Sequence, residues 1–351
     1  MNSVNREGDG AVEVFTANLT ANGFSYFCVK IPSLIKTKDA IIAFGEGRIG
    51  SCADVAPTHL IYRMSHDQGG SWGEVNIFHQ DGDNVIGNIA PVVLPNGLIL
   101  APFTKNNRLA MMSRSQDGGL TWETPETTPD LLKEDWIWVG YGPPASLVLK
   151  SGKVLIPGYH STTDVSNSSS IGSGLTKGHI VVSEDNGLTF RLASTSFGNN
   201  FFVNELQAAQ MSNGTVIINS RVLSSERVLS YSNDEGESFY SVRRPSTPLH
   251  ETIQGCEGSF IRVDGTDRLL YSGVEGRIPA RIFRENITLR ESNDFGVTWT
   301  TRSIIDVGSS GYSALLNIDP DTVAVLYETS DCIKCPLVFL PTKIKFKKLI
   351  I

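Results

Sequence analysis

The sequence predicts an all-β fold: a six-bladed β-propeller of four-stranded antiparallel sheets, with one domain spanning residues 1–351. Three observations carry that prediction. Five short segments share the pattern Ser-x-Asp-x-Gly-x-(Thr/Ser)-(Trp/Phe), and their starts lie 50, 68, 49 and 60 residues apart. Alternating or apolar stretches of strand length precede each segment. Long amphipathic helical patterns are scarce, and a period of this size marks radial sheets.

In chain order the segments are SHDQGGSW from Ser65, SQDGGLTW from Ser115, SEDNGLTF from Ser183, SNDEGESF from Ser232 and SNDFGVTW from Ser292. Each reads as a hairpin turn. The aspartate (67, 117, 185, 234, 294) accepts backbone N–H groups across the turn, and the glycine two places on supplies a left-handed conformation. The Thr or Ser closes the turn, and the aromatic ring drops into the core. The strands before them are THLIYRM, RLAMMSR, GHIVVS, RVLSYS and NITLRES. About 50 residues after the last segment, with the N-terminal strand, suffice for a sixth blade closed by both ends. A two-sheet sandwich leaves the period unexplained.

Composition narrows function by exclusion. A net charge of −7 lacks the basic surface of a general nucleic-acid or acidic-membrane binder, so an anionic ligand needs a local cluster of cations. No apolar run approaches the ~20 residues that span a bilayer, and no transmembrane segment is expected. The start, MNSVNREGDGAVEVF, shows no secretory pattern, and five cysteines suit reduced thiols in a cytosolic protein. CIKC at 332–335 lacks a second ligand pair and reads as incidental. The glycosylation sequons at Asn18, Asn167, Asn213 and Asn286 would matter only on export, which leaves a lysosomal or secreted location open if the N-terminus is incomplete. The six histidines show no metal spacing, DGDN at 81–84 lacks the rest of a calcium loop, and neither a metal nor a cofactor is expected.

Further motifs carry a resemblance. VKIPSL followed by IIAFGEGR, FFVNELQAAQMSNGTVIINSR (201–221), FRENITLRESNDFGVTW (283–299), GSSGYSALL (308–316) and VLYE (325–328) are similar, in this order, to segments of the exo-α-sialidases. The five turn segments resemble the Asp-boxes of that family. The wording is closest to lysosomal and bacterial-type members. The resemblance implies hydrolysis of terminal sialic acids on glycoproteins, gangliosides or oligosaccharides, without a cofactor. It implies Lys30, Arg221 and Arg284 around the substrate carboxylate, Asp54 as acid/base, Tyr312 as nucleophile and Glu205 as its base. Glu46 and Arg48 would line the same pocket, and Glu328 would orient residue 30. Tyr159 and Trp138 are expected to reach the central funnel.

The chemistry fits this set. A sialic acid carries a carboxylate on its anomeric carbon, which would repel a carboxylate nucleophile but not a neutral phenol. A phenol with a free pKa of about 10 needs an adjacent base. Singly, each residue has an ordinary structural role open to it: a core tyrosine, a loop aspartate, a rim arginine. Lys30 stands where the family carries arginine. Lysine keeps the charge but loses the planar fork that grips a carboxylate. Three readings follow: a weakened sialidase, a hydrolase for a related 2-keto sugar acid, or a sialoside-binding propeller without catalysis.

Overall fold

The computed structural model describes residues 10–128, 131–163, 176–198, 201–275, 283–331 and 340–351. All its regular elements but a single 3₁₀ turn are strands, and no described helix is long and apolar enough to cross a membrane. CIKC and the sequon at Asn167 lie outside the described residues.

The first sheet joins Cys28–Lys36, Ile41–Arg48, Thr58–Ser65 and Asn76–His79 in that order, all antiparallel. The fourth repeats the plan with Val203–Gln210, Val216–Val222, Val228–Ser232 and Ser241–Arg243. The second and third have five strands each, because two short segments share the place of one first strand. Ile86–Gly87 and Val92–Val93 both pair with Ile99–Lys105, and Trp138–Tyr141 and Leu147–Val148 both pair with Val154–Ser161. A two-stranded hairpin, Leu19–Ala21 with Phe24–Tyr26, stands apart.

The described sheets hold from two to seven strands, against the four expected of each. The last sheet has seven strands, since Thr300–Asp319 runs unbroken for 20 residues. Its first half, to Ser309, pairs with Glu285–Ser292; its second half, from Ser310, pairs with Thr322–Thr329. Beyond Thr322–Thr329 come Lys343–Ile350 and the N-terminal strand Val12–Thr16, so the two ends of the chain meet in one sheet.

Apolar cores fill the spaces between neighbouring sheets: Phe44 with Phe103, Leu100 with Ile156, Ile180 with Leu206, Ile217 with Phe260, and Leu289 with Val325. One more core returns to the start, joining Phe346 and Leu326 to Ala43 and Ile61. The stacking is cyclic. The Asp-box glycines lock the same contacts. A methyl group on Gly119, Gly187, Gly236 or Gly296 would strike Ile42, Leu100, Leu155 or Leu229 of the preceding sheet, and one on Gly69 would strike Phe346 of the last. Each glycine has a positive φ, between 80° and 95°, so a side chain is excluded twice over.

Within a box, Ser65 Oγ donates to Asp67 Oδ1 (2.8 Å) and accepts from Gly69 N (2.7 Å), while Ser71 N donates to Asp67 Oδ1 (2.8 Å). The aspartate thus replaces the backbone acceptors that a sharp turn removes. The aromatic ring is fully buried at Trp299 but half-buried at Trp72, Trp122, Phe190 and Phe239, shallower than expected.

The cysteine expectation also needs correction. Cys28 and Cys52 form a disulfide, with Cα atoms 5.9 Å apart. The loop after Arg48 folds back on its own sheet and returns residue 52 beside residue 28, a closure that a spacing of 24 residues does not reveal. Cys256 is a buried free thiol.

Candidate active site

The first strands of the sheets face inward and meet across the hub. Ser33 Oγ in the first sheet donates to the carbonyl of Pro144 near the third (2.7 Å), and Cys28–Lys36 packs beside Thr300–Asp319. Both contacts bring together residues far apart in sequence.

Tyr312 is the centre of the first cluster. Its hydroxyl donates to Glu205 Oε1 and accepts from Arg221 Nη1 at 3.0 Å. Arg221 Nη1 also reaches Glu205 Oε2 at 2.7 Å, so one guanidinium spans the phenol and its carboxylate partner. The Arg284 guanidinium lies 5.3 Å from the Tyr312 ring centroid, in cation–π range. Burial, and then the charge of Glu205, push the Tyr312 pKa well above its ordinary value, so the phenol holds its proton at rest.

The second cluster is built on the first sheet. Arg48 Nη2 bonds Glu46 Oε2 (2.9 Å), while Nη1 bonds Asp54 Oδ1 (2.6 Å) and the carbonyl of Cys52 (2.8 Å). Glu46 also accepts from Asn88 N (2.9 Å). Lys30 Nζ lies 4.0 Å from Asp54 Oδ1, with the lysine side chain 14% exposed and the aspartate 61% exposed. Burial, then the charge of Arg48, hold the Lys30 pKa below the ordinary lysine value, against the pull of Glu328 and Asp54. For Asp54, burial acts upward, but the charges of Arg48 and Lys30 outweigh it and leave the pKa lowered.

Glu328 joins the two clusters and lies within electrostatic reach of Lys30. Its Oε1 accepts from Ile31 N (2.8 Å) and its Oε2 from Tyr312 N (3.1 Å). One buried carboxylate thereby holds the backbones of two strands. Ile31 carries a φ of 53°, and the pairing of its strand slips between Lys30 and Ser33. A β-branched residue in the left-handed region is strained, and strain of this kind persists where its surroundings over-determine it. Arg284 lies within electrostatic reach of Lys30, Asp54, Arg221, Tyr312 and Glu328, so the nine expected residues share one neighbourhood.

Several participants escaped the sequence reading. Glu257 is buried and accepts from Ser313 N (2.9 Å), directly after Tyr312; burial, then the charge of Glu205, raise its pKa well above the carboxylate range. Arg227, Glu251 and Tyr271 form a fully buried cluster, in which Tyr271 donates to Glu251 and Arg227 bonds the carbonyl of Cys256 at 2.7 Å. These residues brace the 251–257 loop, whose Gln254 carbonyl accepts from Arg221 Nη2 at 3.3 Å. No motif marked them, because their partners are distant in sequence. Tyr159 donates to Asn88 Oδ1 (3.4 Å) and lies within reach of Glu205, Arg221 and Glu46; Trp138 is half-buried on the neighbouring strand. Among the described residues no group of three or more His, Cys, Asp or Glu is placed to hold a metal ion.

The all-β chain thus sets a phenol–carboxylate pair beside gathered cations. It is similar to several known proteins. No family model matches the sequence. A sialidase of Bacteroides fragilis is 26% identical over 235 residues, covering 63% of this chain and 39% of that protein. A sialidase of Micromonospora viridifaciens is 26% identical over 357 residues, covering 89% and 51% respectively. The chain thus spans about half or less of the length of these curated relatives. A solved Trypanosoma rangeli sialidase, complexed with 2,3-difluorosialic acid as a covalent intermediate, shares the fold with a TM-score of 0.73 at 19% identity, over 96% of this chain and 58% of that one. The chain is thus similar to sialidases in sequence over much of its length and shares their fold.

Proposed function

We propose that this chain hydrolyses terminal α-linked sialic acids from glycoconjugates, with retention of anomeric configuration, on a six-bladed propeller of four-stranded blades. The observation that carries the reading is the hydrogen bond from the Tyr312 phenol to Glu205, bridged by Arg221. A binding module has no use for a phenol poised beside a base. The cyclic cores, and the division of the seven-stranded sheet at Ser309 and Ser310 into two halves of four, support the blade count. The covalent complex of the Trypanosoma rangeli protein supports a two-step route.

In the first step Tyr312 Oη attacks the anomeric carbon as Glu205 takes its proton. Asp54 protonates the leaving oxygen and the glycosidic bond breaks. In the second step water attacks the same carbon, Asp54 takes its proton, and Glu205 returns the phenolic proton as the tyrosyl bond opens. Two inversions give retention. Tyrosine nucleophiles in sialidases are an established exception to the two-carboxylate scheme of glycosidases. Lys30, Arg221 and Arg284 hold the substrate carboxylate. That arriving anion also counters the cations around Asp54, and so returns the proton affinity that an acid requires.

Fluorogenic sialoside turnover by wild type and Tyr312→Phe tests the reading. Wild type should turn over, and the variant should lose at least about a hundredfold in kcat, within the usual span for a nucleophile or its base. Saturable sialoside binding without wild-type turnover selects the non-catalytic propeller instead. The lysine at position 30 favours a second reading, a hydrolase for a related 2-keto sugar acid, which a panel of such glycosides separates by kcat/KM.

A further inference from the structure

The mechanism above does not use the disulfide, yet its two halves flank the pocket. Cys28 opens the strand that carries Lys30 two residues later, and Cys52 lies in the loop that carries Asp54 two residues later. Residues 49–57 form no strand. Besides the disulfide, this loop is tied back to the sheet by Ile49 N to the carbonyl of Pro57 (2.9 Å) and Thr58 Oγ1 to the carbonyl of Ala56 (2.7 Å) at its base, by the Arg48 bonds to Cys52 and Asp54, and by the Lys30–Asp54 ion pair (4.0 Å). Asp54 itself is largely exposed, so packing does not fix it.

We infer that the Cys28–Cys52 disulfide is a positioning device for the acid/base carboxylate, holding the Asp54 loop against the strand that presents Lys30. The inference rests on the hydrolase reading. A proton is passed efficiently only across hydrogen-bond distance, and misplacement by about 1 Å costs on the order of a hundredfold. A dithiol reductant opens the bond by supplying two electrons and two protons: the S–S bond breaks, two cysteine thiols form, and the reductant leaves as its own cyclic disulfide. Asp54 then keeps its charge partners but loses the covalent stop. Tyr312, Glu205 and Arg221 lie on other sheets and are unaffected.

The effect should depend on the leaving group. An aryl sialoside such as the 4-nitrophenyl glycoside departs as a stable phenolate and needs little acid assistance, whereas a lactose-linked sialoside needs a proton. The experiment compares kcat/KM for both substrates in the oxidised protein, in the protein reduced with dithiothreitol, and in Cys28→Ser/Cys52→Ser, with thiols counted by alkylation and mass. The expected result is two fewer alkylatable thiols in the oxidised form, a fall of about tenfold or more for the lactose-linked substrate on reduction or substitution, and a change under about twofold for the aryl one. Equal losses on both substrates would make the disulfide merely structural and overturn the inference. So would unchanged rates on both, or Cys28 and Cys52 found as thiols in the oxidised protein. A wild type that cleaves neither substrate overturns the hydrolase reading, and this inference with it.

Discussion

Lys30 is where residue chemistry decides most. Its ammonium sits among the cations that would receive the substrate carboxylate, and a compact charge replaces a planar fork there. One well-placed charged hydrogen bond is worth roughly 1.5–3 kcal/mol. Lys30→Arg should therefore raise kcat/KM for a sialoside by about one to two powers of ten; no gain would count against the site. The pH profile gives a second check. The lysine must be charged to bind an anion, and burial with Arg48 lowers its pKa, so wild-type kcat/KM should decline on the basic side before a free lysine would titrate. An arginine does not deprotonate in that range, and the variant should lose that basic limb. Tyr312, Glu205 and Arg221 were legible in the sequence because they sit in two distinct motifs, at 308–316 and 201–221. Glu257 was not, since its partner Ser313 lies 56 residues away and only folding makes it a neighbour.

Among the elements, the two strands that meet at Glu328 matter most. The carboxylate uses one oxygen for Ile31 N and the other for Tyr312 N, and so sets the strand of Lys30 against the strand of the phenol. In Glu328→Gln one of the two N–H groups must face an amide NH₂. Loss of one charge-assisted bond should cost roughly 1.5–3 kcal/mol in unfolding free energy. It should also depress kcat/KM, because Lys30 and Tyr312 lose their common anchor. Denaturant titration with sialoside kinetics checks both; full stability together with full activity would remove Glu328 from this role. The sequence placed this glutamate near position 30 but not on the backbone. A side-chain partner can be guessed from charge, whereas an acceptor for strained main chain shows only once Ile31 takes a positive φ. The same limit hid the length of Thr300–Asp319, whose two halves pair with different strands.

For the molecule as a whole, the repeats were plain in the sequence, and their spacing alone argued for a ring. What they did not reveal was how the ring holds. Each Asp-box glycine abuts the sheet before it, and Gly69 abuts Phe346, where Trp72 also packs with ring centroids 5.4 Å apart. Gly69→Ala should be destabilising beyond the roughly 1 kcal/mol of an unfavourable φ, because the added methyl meets Phe346. Thermal melts of Gly69→Ala against Gly214→Ala, where the left-handed backbone has open space around it, separate the two causes. Equal losses would show that the contact with Phe346 contributes nothing.

That closure has a consequence for how activity arises during synthesis. Lys30 and Asp54 come from the first sheet to be made, while Tyr312 and Glu328 come from the last, and Glu328 knits them across the seam. On the proposed reading, a growing polypeptide has only half of its reaction centre until the strands of Tyr312 and Glu328 dock. Turnover would then begin with the same event that completes the circle.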